Sequence, residues 1–527
     1  MDGAQARSRW LGAERERPYT GGVGGGFHLE NFGCRAARAD GEAIAARLSS
    51  HGCGALTLTD ADVVVVNTCS VTAEADREAR AYIRRVRRVN PTAKIVATGC
   101  YAQRAPEELA ALEGVSAVVG NSHKALTPEI ALGLMRESAT GNADGLVPVA
   151  SLLGSHAGPL VLADEGFAHS FLEEAQVTPG AQTRPNLKIQ EGCGNRCSFC
   201  VIPQTRGSSR SLPGAAVLAQ VRGFVEAGGH ELVFSGINLG RWGRDPGSVR
   251  GSAEIKAWSP THPAEERRMD GAHGLESGAP RTLAQLVRRI FAETELARLR
   301  LSSIEPMDWD AELIGLMAEF GGRRLARHAH LPLQSGSDAV LRRMHRRYRP
   351  WHYAEKAAAL RAAAGPELTL GADVMVGFPG ETDAEFEETL ALVRAVRFGY
   401  LHLFPFSPRP GTRAWALHGE APVAAEAVQE RMAALRALAA EMTRAHRRAM
   451  IGRTLDAITL HTPEALDAAG RTAALTENFL PVEREGRRAF NQLVRVRVTG
   501  LTAEGALEAT DAAAMRDSSD CCATVAV

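Results

Sequence analysis

Three cysteines within eight residues are the feature of this sequence that most directly indicates chemistry. Cys193, Cys197 and Cys200 follow the spacing C-x3-C-x2-C. Closely spaced thiolates suit an iron–sulfur cluster, which proteins hold through cysteine sulfur. No histidine or fourth cysteine lies close by in the sequence, so the pattern predicts a cluster with one iron left open for a ligand. The alternative is a structural zinc site with a distant fourth ligand, although such sites usually close with a second local pair.

A second set of cysteines is dispersed along the N-terminal region. Cys34, Cys69 and Cys100 each come just after a predicted strand, at 27–32, 62–67 and 94–98. Because open α/β sheets bind their ligands beyond the carboxyl ends of strands, these three thiols can converge on one site. The alternative is three unrelated core residues, since free cysteine is commonly buried. Cys53 follows no predicted strand and is interpreted as structural.

The order of strand and helix patterns predicts an α/β protein with three folded parts. Residues 26–136 predict a doubly wound α/β domain, and residues 185–420 a partial (β/α)6 barrel with its active face at the strand carboxyl ends. Residues 451–512 predict a small antiparallel β-barrel. The remaining segments are a disordered extension, a linker, a mobile insert within the barrel, a helical connector and a tail, at 1–25, 137–184, 246–280, 421–450 and 513–527.

Composition narrows the cellular setting and the kinds of partner. The chain has 61 Lys+Arg and 61 Asp+Glu, so any contact with nucleic acid must use local basic patches rather than a global charge. Its nine cysteines are clustered and odd in number, which fits metal ligation in a reducing cytoplasm better than a disulfide framework. No run of about 18 apolar residues predicts a membrane span. Cys521 and Cys522 lie in the polar tail and are not predicted ligands.

The cysteine triplet, with Phe199 before its last cysteine, resembles the loop of the radical S-adenosylmethionine (SAM) enzymes. In that superfamily the loop binds a 4Fe–4S cluster whose free iron chelates the amino and carboxylate groups of SAM. The resemblance implies that Cys193, Cys197 and Cys200 are the cluster ligands.

The two cysteine sets, the barrel and the C-terminal β-barrel together resemble the radical SAM methylthiotransferase family, over about residues 26–510. The resemblance implies that Cys34, Cys69 and Cys100 hold an auxiliary 4Fe–4S cluster. It also implies that the C-terminal barrel is the family's RNA-binding TRAM domain. Three motifs resemble the members that act on N6-threonylcarbamoyladenosine (t6A) in tRNA: N-T-C-S-V-T at 67–72, S-S-I-E-P at 302–306 and L-T-E-N-F at 475–479. The chain departs from the family after Cys34, where R-A-A-R stands in place of the usual Lys-Val-Asn.

Further positions carry over from the family as implied SAM contacts. Gly236 and Asn238 lie in the loop that meets the SAM amino group, Gln334 follows the fourth barrel strand, and Asp373 and Gly377 belong to the fifth strand and its glycine turn, which faces adenine. Each motif alone is weak, because a glycine-rich loop is usually a turn and Gln334 could be a surface residue.

Local arginines supply the candidate RNA contacts. Arg346 lies after the fourth barrel strand, and Arg484, Arg487 and Arg488 lie on the C-terminal barrel. Basic side chains at these places can bind tRNA phosphates, which position RNA without reading its sequence. The alternative for the C-terminal group is an ordinary solvated strand face.

The implied reaction adds a methylthio group to C2 of t6A beside the anticodon. A radical derived from SAM takes hydrogen from C2, sulfur arrives through the auxiliary cluster, and a second SAM supplies the methyl group. A low-potential electron donor and a sulfur source are implied partners besides tRNA. No catalytic acid–base or nucleophilic side chain is required, and none is found. The alternatives are action on isopentenyladenosine in tRNA or on a ribosomal-protein aspartate and, in another class, a two-cluster electron-transfer protein.

Overall fold

The computed structural model describes residues 25–140, 158–167, 183–244 and 280–512, with backbone only for 137–140. The predicted extension, almost all of the predicted insert, and the tail with Cys521 and Cys522 lie outside the described residues. In the part of the chain that is described, no helix has the length and apolar character needed to cross a bilayer.

The N-terminal part is a parallel sheet flanked by helices. Its core strand reads V-V-V-V-N-T and is buried along its whole length, as β-branched strands covered on both faces are. The strands, in the spatial order β2-β1-β3-β4-β5-β6, are β1 Gly26–Asn31, β2 Gly54–Ala55, β3 Val63–Thr68, β4 Lys94–Gly99, β5 Val115–Gly120 and β6 Leu160–Leu162. The helices are α1 Arg35–Ser50, α2 Ala73–Val89, α3 Cys100–Arg104, α4 Pro106–Ala110 and α5 Thr127–Thr140.

The edge strand β6 comes from the segment interpreted as a linker. It pairs in parallel with β5, with Val118 opposite Val161. Helix α5 likewise extends into that segment, as far as Thr140. The glycine- and alanine-rich composition of the segment concealed both elements, because only three apolar residues form the strand.

The central part is an open barrel of six parallel strands with helices outside, and a two-residue seventh strand at one edge runs antiparallel to its neighbour. One sheet has the order β10-β9-β7-β8 and the other β11-β12-β13, and a parallel bridge between Ser303 and His330 joins them. The strands are β7 Asn186–Glu191, β8 Arg210–Ser211, β9 Glu231–Gly236, β10 Arg298–Leu301, β11 His328–His330, β12 Thr369–Val376 and β13 Tyr400–Pro405. The helices are α6 Ile202–Arg206, α7 Gly214–Glu226, α8 Leu283–Glu293, α9 Ala311–Phe320, α10 Asp338–Arg343, α11 Pro350–Ala364, α12 Asp383–Val396, α13 Arg413–Glu420 and α14 Ala425–Arg448.

The C-terminal part is a closed five-stranded barrel in the order β14-β15-β16-β18-β17. Its strands are β14 Thr454–Thr459, β15 Arg471–Thr476, β16 Pro481–Glu485, β17 Leu493–Leu501 and β18 Leu507–Asp511, with the short helix α15 Glu464–Ala468. Most neighbours are antiparallel, as predicted, but β16 and β18 run parallel. The predicted fold class, with an N-terminal α/β domain, a partial barrel and a small β-barrel, is confirmed.

The turn after β15 attaches the small barrel to the large one. Glu477 is almost fully buried and accepts hydrogen bonds from the Arg327 side chain at 2.6 and 2.9 Å. The Asn478 amide donates to the carbonyl of Glu367 at 2.8 Å, and Arg300 donates to the carbonyl of Thr476 at 3.3 Å. The motif that suggested a subfamily is therefore a docking element between two domains.

Buried ion pairs join the N-terminal domain to the large barrel at two places. On one side the Arg409 guanidinium donates to Ser70 at 2.8 Å and to Asp76 at 2.5 Å. On the other side Asp40 and Glu191 are fully buried among three cations, Lys124, Lys188 and Arg206. Removing one charged side chain from such a buried network typically lowers the free energy of unfolding by about 3–5 kcal/mol. These contacts therefore fix the two domains relative to each other.

Candidate active site

The clustered cysteines lie in the loop that follows β7. The pKa of Cys200 is raised to about 12, mainly by burial and also by the neighbouring Cys197 and Cys193 thiols. Burial also raises the pKa of Cys193. A hydrogen bond from the backbone N–H of Asn195 to its Sγ, at 3.4 Å, acts in the opposite direction and lowers the pKa. Thiols lose their protons when they bind a metal cation, and three neighbouring thiols are a donor set that fits a metal cluster.

A buried arginine closes one side of this loop. The Nη1 of Arg346 lies 3.4 Å from the Sγ of Cys197, and its Nη2 donates to both oxygens of Glu305 at 2.7 and 2.9 Å. Burial alone lowers the pKa of a guanidinium, but Glu305, Tyr348 and Cys197 hold the pKa of Arg346 well above its usual value. Since its side chain is only 5% exposed and fully engaged, the prediction that Arg346 binds RNA phosphate is wrong.

Buried polar atoms without partners line the barrel near these cysteines. They are Ser235 Oγ, Asn238 Oδ1, Ser302 Oγ and Gln334 Oε1, none of which meets a hydrogen-bond partner within the described residues. Asn238 also donates from Nδ2 towards Cys193 Sγ at 3.7 Å, so it lies beside the loop. Because buried polar groups are normally satisfied, these atoms mark a place for a polar ligand, and they fit the amino acid and ribose groups of SAM.

Other predicted SAM contacts have explanations within the protein. A Cβ on Gly236 would lie 2.9 Å from Gln190 Cβ, so this glycine is required by packing rather than by a ligand. Gly377 has φ +76°, and a Cβ there would lie 2.5 Å from Val428, which again requires glycine. Phe199 packs edge-on against Phe378 with ring centroids 6.5 Å apart. Their contact with SAM stays a prediction.

The three N-terminal cysteines also gather in one place. The pKa of Cys69 is raised to about 12, mainly by burial and also by the Cys100 and Cys34 thiols. Gly33 has φ +102°, and a Cβ on it would lie 2.7 Å from Cys69 Sγ. Only glycine permits that approach in this conformation. Sequence reasoning missed Gly33, although it directly precedes Cys34.

A second buried arginine meets this set of thiols. The Nε of Arg206 lies 3.2 Å from the Sγ of Cys100, and the guanidinium also bonds Glu191 and Asp40 at 2.6 and 3.1 Å. Asn121 donates to the same sulfur at 3.4 Å and to the carbonyl of Thr205 at 2.7 Å. A thiolate or a cluster bound here would therefore receive positive charge and hydrogen bonds from the large barrel as well as from its own domain.

The interior of the barrel below the cysteine loop is polar. Asp373 on β12 has one oxygen, Oδ1, at 3.2 Å from both His330 Nε2 and His402 Nδ1. Burial raises the pKa of Asp373, but hydrogen bonds from the two imidazoles outweigh it and hold the pKa well below the usual range. The side chain of His402 is 61% exposed, so the interior is open to solvent at this point. The sequence reading named Asp373 but neither histidine.

Phe479 closes the floor of this interior. It comes from the docking turn of the small barrel and meets His328 with ring centroids 4.5 Å apart. The guanidinium carbons of Arg300 and Arg35 lie 5.2 and 5.4 Å from the centroid of its ring. Arg35 belongs to the N-terminal domain and directly follows Cys34, so both flanking domains contribute to the inside of the large barrel.

The arginines predicted to bind RNA on the small barrel differ in accessibility. Arg484 is buried and bonded to Asp511 through Nε at 2.7 Å, so the prediction that it binds phosphate is wrong. Arg487 is 65% exposed and lies 3.3 Å from Asp467. Arg488 is 48% exposed and lies 3.2 Å from Asp511. These two remain on the surface, in reach of a ligand.

An exposed aromatic pair lies next to these arginines in the sequence. The rings of His461 and Phe490 stack at 4.3 Å with an interplanar angle of 22°. Arg495 and Arg497 on β17 are also exposed. Flat rings beside arginines suit stacking with nucleobases, a feature the sequence reading did not use.

Comparison with known proteins assigns the chain to a class. Residues 26–120 match the profile described as "Uncharacterized protein family UPF0004", and residues 187–393 match the profile of the radical SAM superfamily. The threonylcarbamoyladenosine tRNA methylthiotransferase MtaB of Aquifex aeolicus is 30% identical over 89% of this chain and 99% of its own length. The MtaB of Bacillus subtilis is 31% identical over 83% and 85%. The tRNA-2-methylthio-N(6)-dimethylallyladenosine synthase of Cereibacter sphaeroides is 32% identical over 89% and 95%.

These matches define a radical SAM protein with an additional N-terminal domain. The chain belongs to the radical SAM methylthiotransferase family. Its cofactors are therefore SAM and 4Fe–4S clusters, and its enzymatic class is methylthio transfer. Among solved structures, the radical SAM methyltransferase TsrM from Kitasatospora setae superimposes with a TM-score of 0.46 and 15% identity, covering 74% of this chain and 77% of that one. That likeness is too slight to bear on function.

Proposed function

We propose that this enzyme adds a methylthio group to C2 of t6A next to the anticodon of tRNA. Relatives named for t6A and relatives named for dimethylallyladenosine are about equally similar to the chain, so overall similarity does not choose between them. The observation that carries the proposal is the polar lining of the barrel interior. An isopentenyl substituent is apolar, whereas the t6A substituent carries a hydroxyl, a urea-like carbamoyl group and a carboxylate.

The residues of this lining are charged or hydrogen-bonding on every neighbouring element. Asp373, His330 and His402 come from three adjacent strands, and Arg35 comes from the N-terminal domain. Burying an apolar substituent against such groups would remove them from water without compensation, at a cost of about 1–3 kcal/mol for each unsatisfied group. A polar substituent compensates them.

In this proposal each cysteine set holds one 4Fe–4S cluster. Cys193, Cys197 and Cys200 bind the barrel cluster, with Arg346 beside Cys197. Cys34, Cys69 and Cys100 bind the auxiliary cluster, with Arg206 beside Cys100. The bound clusters and SAM supply the electron-transfer, radical and sulfur-transfer chemistry. The protein's own task is to hold SAM through Asn238 and Gln334, to orient the adenosine, and to exclude water.

The proposed partners are tRNA, a low-potential electron donor and a sulfur source, and the proposed compartment is the cytoplasm. Arg487 and Arg488 are the arginines of the sequence prediction that stay accessible to tRNA phosphates. Their ion pairs with aspartates are exposed, so each is worth at most about 1 kcal/mol and a phosphate can replace it.

The deciding experiment compares substrates with one enzyme preparation. Anaerobically reconstituted protein, with SAM and a reductant, is given tRNA carrying t6A, tRNA carrying isopentenyladenosine, and a ribosomal protein with a target aspartate. Digestion and mass spectrometry then detect the 2-methylthio nucleosides or the methylthio-aspartate. We expect product from the t6A tRNA alone. Product from isopentenyladenosine or aspartate alone would replace the proposal with the corresponding alternative.

A further inference from the structure

Positive charge exceeds negative charge at the floor of the large barrel. Glu231 is the shared acidic partner of Arg298 and Arg300, at 3.2 and 3.0 Å. Arg184 lies in the same electrostatic field, where burial and, to a smaller extent, Arg300 lower its pKa to about 10 although Glu231 raises it. One carboxylate thus serves several guanidinium groups. Such an excess, screened from bulk water, attracts an anion.

Arg35, like Arg184, has no polar partner among the described residues, and of the two only Arg35 lies against the ring of Phe479. Within the described residues its guanidinium makes no hydrogen bond or ion pair, and its one specific contact is the face of Phe479 at 5.4 Å. Burial lowers the pKa of Arg35, with Arg300 and Arg38 adding to the effect. The residue as a whole is partly accessible, although its guanidinium is largely buried.

Asp373, a carboxylate in the electrostatic field of Arg35, forms no ion pair with it. The Oδ1 atom of Asp373 is held by His330 and His402, both at 3.2 Å. No ion pair joins Asp373 to Arg35 in the described part of the chain, although the two side chains feel each other electrostatically. The Oδ1 atom of Asp373 is thus occupied by the two imidazoles, while the guanidinium of Arg35 has no carboxylate paired with it in the described part of the chain.

We infer that Arg35 is a specificity-determining residue, which binds the carboxylate of the substrate's threonyl group within the barrel. This inference rests on the proposed action on t6A. A guanidinium binds a carboxylate through two parallel hydrogen bonds, which gives both affinity and orientation. Because Arg35 directly follows Cys34, the same turn would carry a predicted cluster ligand and the residue that anchors the substrate tail.

Arg35 also provides discrimination against an isopentenyl substituent. A site built around a charged group rejects a substrate that leaves this group unpaired much more strongly than an apolar pocket rejects a polar group. Phe479 supports the arrangement from below, since a guanidinium stacked on an aromatic face keeps its hydrogen-bonding edge free. The small C-terminal barrel therefore contributes to the substrate site through one aromatic ring.

The test measures binding of two synthetic anticodon stem-loops to the anaerobic, cluster-loaded enzyme without reductant. One loop carries t6A and the other carries its neutral carboxamide analogue. We expect the wild-type protein to bind the anionic loop about 10- to 100-fold more tightly, as a charge-assisted pair of hydrogen bonds predicts. In Arg35→Gln this ratio falls to about one, with unchanged affinity for the neutral loop, and Arg35→Lys keeps an intermediate ratio. Arg38→Gln is the matched control, because Arg38 is exposed on the same helix.

The outcomes separate this inference from the proposed function. A wild-type enzyme that methylthiolates t6A but binds both loops equally overturns the role of Arg35 and leaves the function standing. A wild-type ratio that persists in Arg35→Gln overturns it as well. Failure to act on t6A tRNA in the substrate comparison overturns the proposed function itself. Iron content is measured for each variant. If Arg35→Gln loses iron, the role of Arg35 is judged from two other results: the ratio of the two affinities in the wild type and the same ratio in Arg35→Lys.

Discussion

The Nε of Arg206 lies 3.2 Å from the Sγ of Cys100, although 106 positions separate the two residues in the sequence. Arg206 ends the short helix α6, which begins two residues after Cys200. One stretch of about fourteen residues therefore carries the three clustered cysteines at one end and contacts the N-terminal set at the other. The clustered cysteines have a similar arginine neighbour, since the Nη1 of Arg346 lies 3.4 Å from the Sγ of Cys197. The two cysteine sets are thus held in a fixed relation by the protein.

The first prediction concerns the two cysteine sets. If each holds a cubane, the reconstituted protein contains about eight irons. Replacing Cys193, Cys197 and Cys200 by Ala removes about half of the iron and abolishes SAM cleavage. Replacing Cys34, Cys69 and Cys100 removes the other half and leaves SAM cleavage measurable. Cys53→Ala is the control, because Cys53 is buried against Met135 and should keep all the iron. Full iron in the N-terminal triple variant would exclude an auxiliary cluster there.

The second prediction concerns Arg206. Arg206→Met leaves the buried carboxylates of Asp40 and Glu191 with fewer partners, so the free energy of unfolding should fall by about 3–5 kcal/mol. The N-terminal site should also lose iron on gel filtration, since its thiols lose a neighbouring positive charge. Denaturant titration and iron analysis measure the two effects. Arg222→Met is the control, because Arg222 makes an exposed pair with Glu293. Equal stability of the two variants would contradict a role for the buried network in joining the domains.

The third prediction concerns the docking turn. Glu477→Ala removes the Oε1 atom that accepts two bonds from the Arg327 side chain in a buried contact and leaves that side chain its bond to Glu367, so docking of the small barrel should weaken by about 3–5 kcal/mol. Trypsin should then cut faster between α14 and β14, where Arg448 and Arg453 lie. Glu485→Ala is the matched control at the exposed end of β16. If both variants resist trypsin as the wild type does, the turn is not what holds the two barrels together.

The fourth prediction concerns pH. Burial lowers the pKa of His446 to about 4, with Arg361 and Arg447 contributing, and the imidazole lies 2.8 Å from Thr369 Oγ1. Between about pH 6.5 and pH 4 the unfolded chain binds a proton at this position and the folded chain does not. Stability from this residue is therefore complete above pH 6.5 and decreases on acidification, by up to about 1.4 kcal/mol per pH unit.

Replacement of His446 isolates this contribution from those of other groups. His446→Gln keeps a hydrogen-bonding side chain without a titration. The difference in free energy of unfolding between the wild type and the variant should change in favour of the variant as the pH falls from 7 to 5. Denaturant titrations at several pH values provide the measurement. A difference that does not vary with pH would show that His446 titrates equally in both states.

The fifth prediction concerns tRNA. Changing Arg487 and Arg488 to Ala should weaken tRNA binding and make the log–log salt dependence shallower by about 0.7–0.9 for each lost phosphate contact. SAM cleavage without tRNA should stay intact. The double change of Arg288 and Arg289 to Ala is the control, because both are exposed on α8 and paired with acidic side chains. Unchanged affinity and slope would remove this surface from the tRNA interface.

The architecture could be predicted from local sequence because the strands have recognisable patterns of apolar residues. The V-V-V-V run of β3, the alternation of strands with helices, and the position of a cysteine after each of three strands need only neighbouring residues to be read. Parallel sheets bring the carboxyl ends of neighbouring strands together at one edge. This general property predicted that Cys34, Cys69 and Cys100 converge. The structure agrees, since the Cys69 thiol is influenced by both of the others.

The arginines could not be assigned in the same way. Arg206 and Arg346 contact sulfur atoms 106 and 149 positions away, and nothing near them in sequence indicates this. Arg484 is different, because it lies two residues after Val482 on β16 and so shares its buried face. Side chains alternate between the two faces of a strand, so the sequence of β16 already indicated that Arg484 points inward. Charge alone suggested RNA contacts for Arg346 and Arg484 as for Arg487 and Arg488, whereas burial separates the first two from the exposed pair.

The position of Phe479 has a consequence for how the enzyme is made. The ribosome synthesises the large barrel before the docking turn, so for part of translation the barrel lacks its floor and His328, Arg300 and Arg35 face water. A nascent chain that stops before residue 475 would have every predicted cluster ligand but no closed substrate cavity. On the proposed function, a chain truncated before residue 475 would therefore keep both cysteine sets and lack the aromatic ring beneath the proposed substrate site.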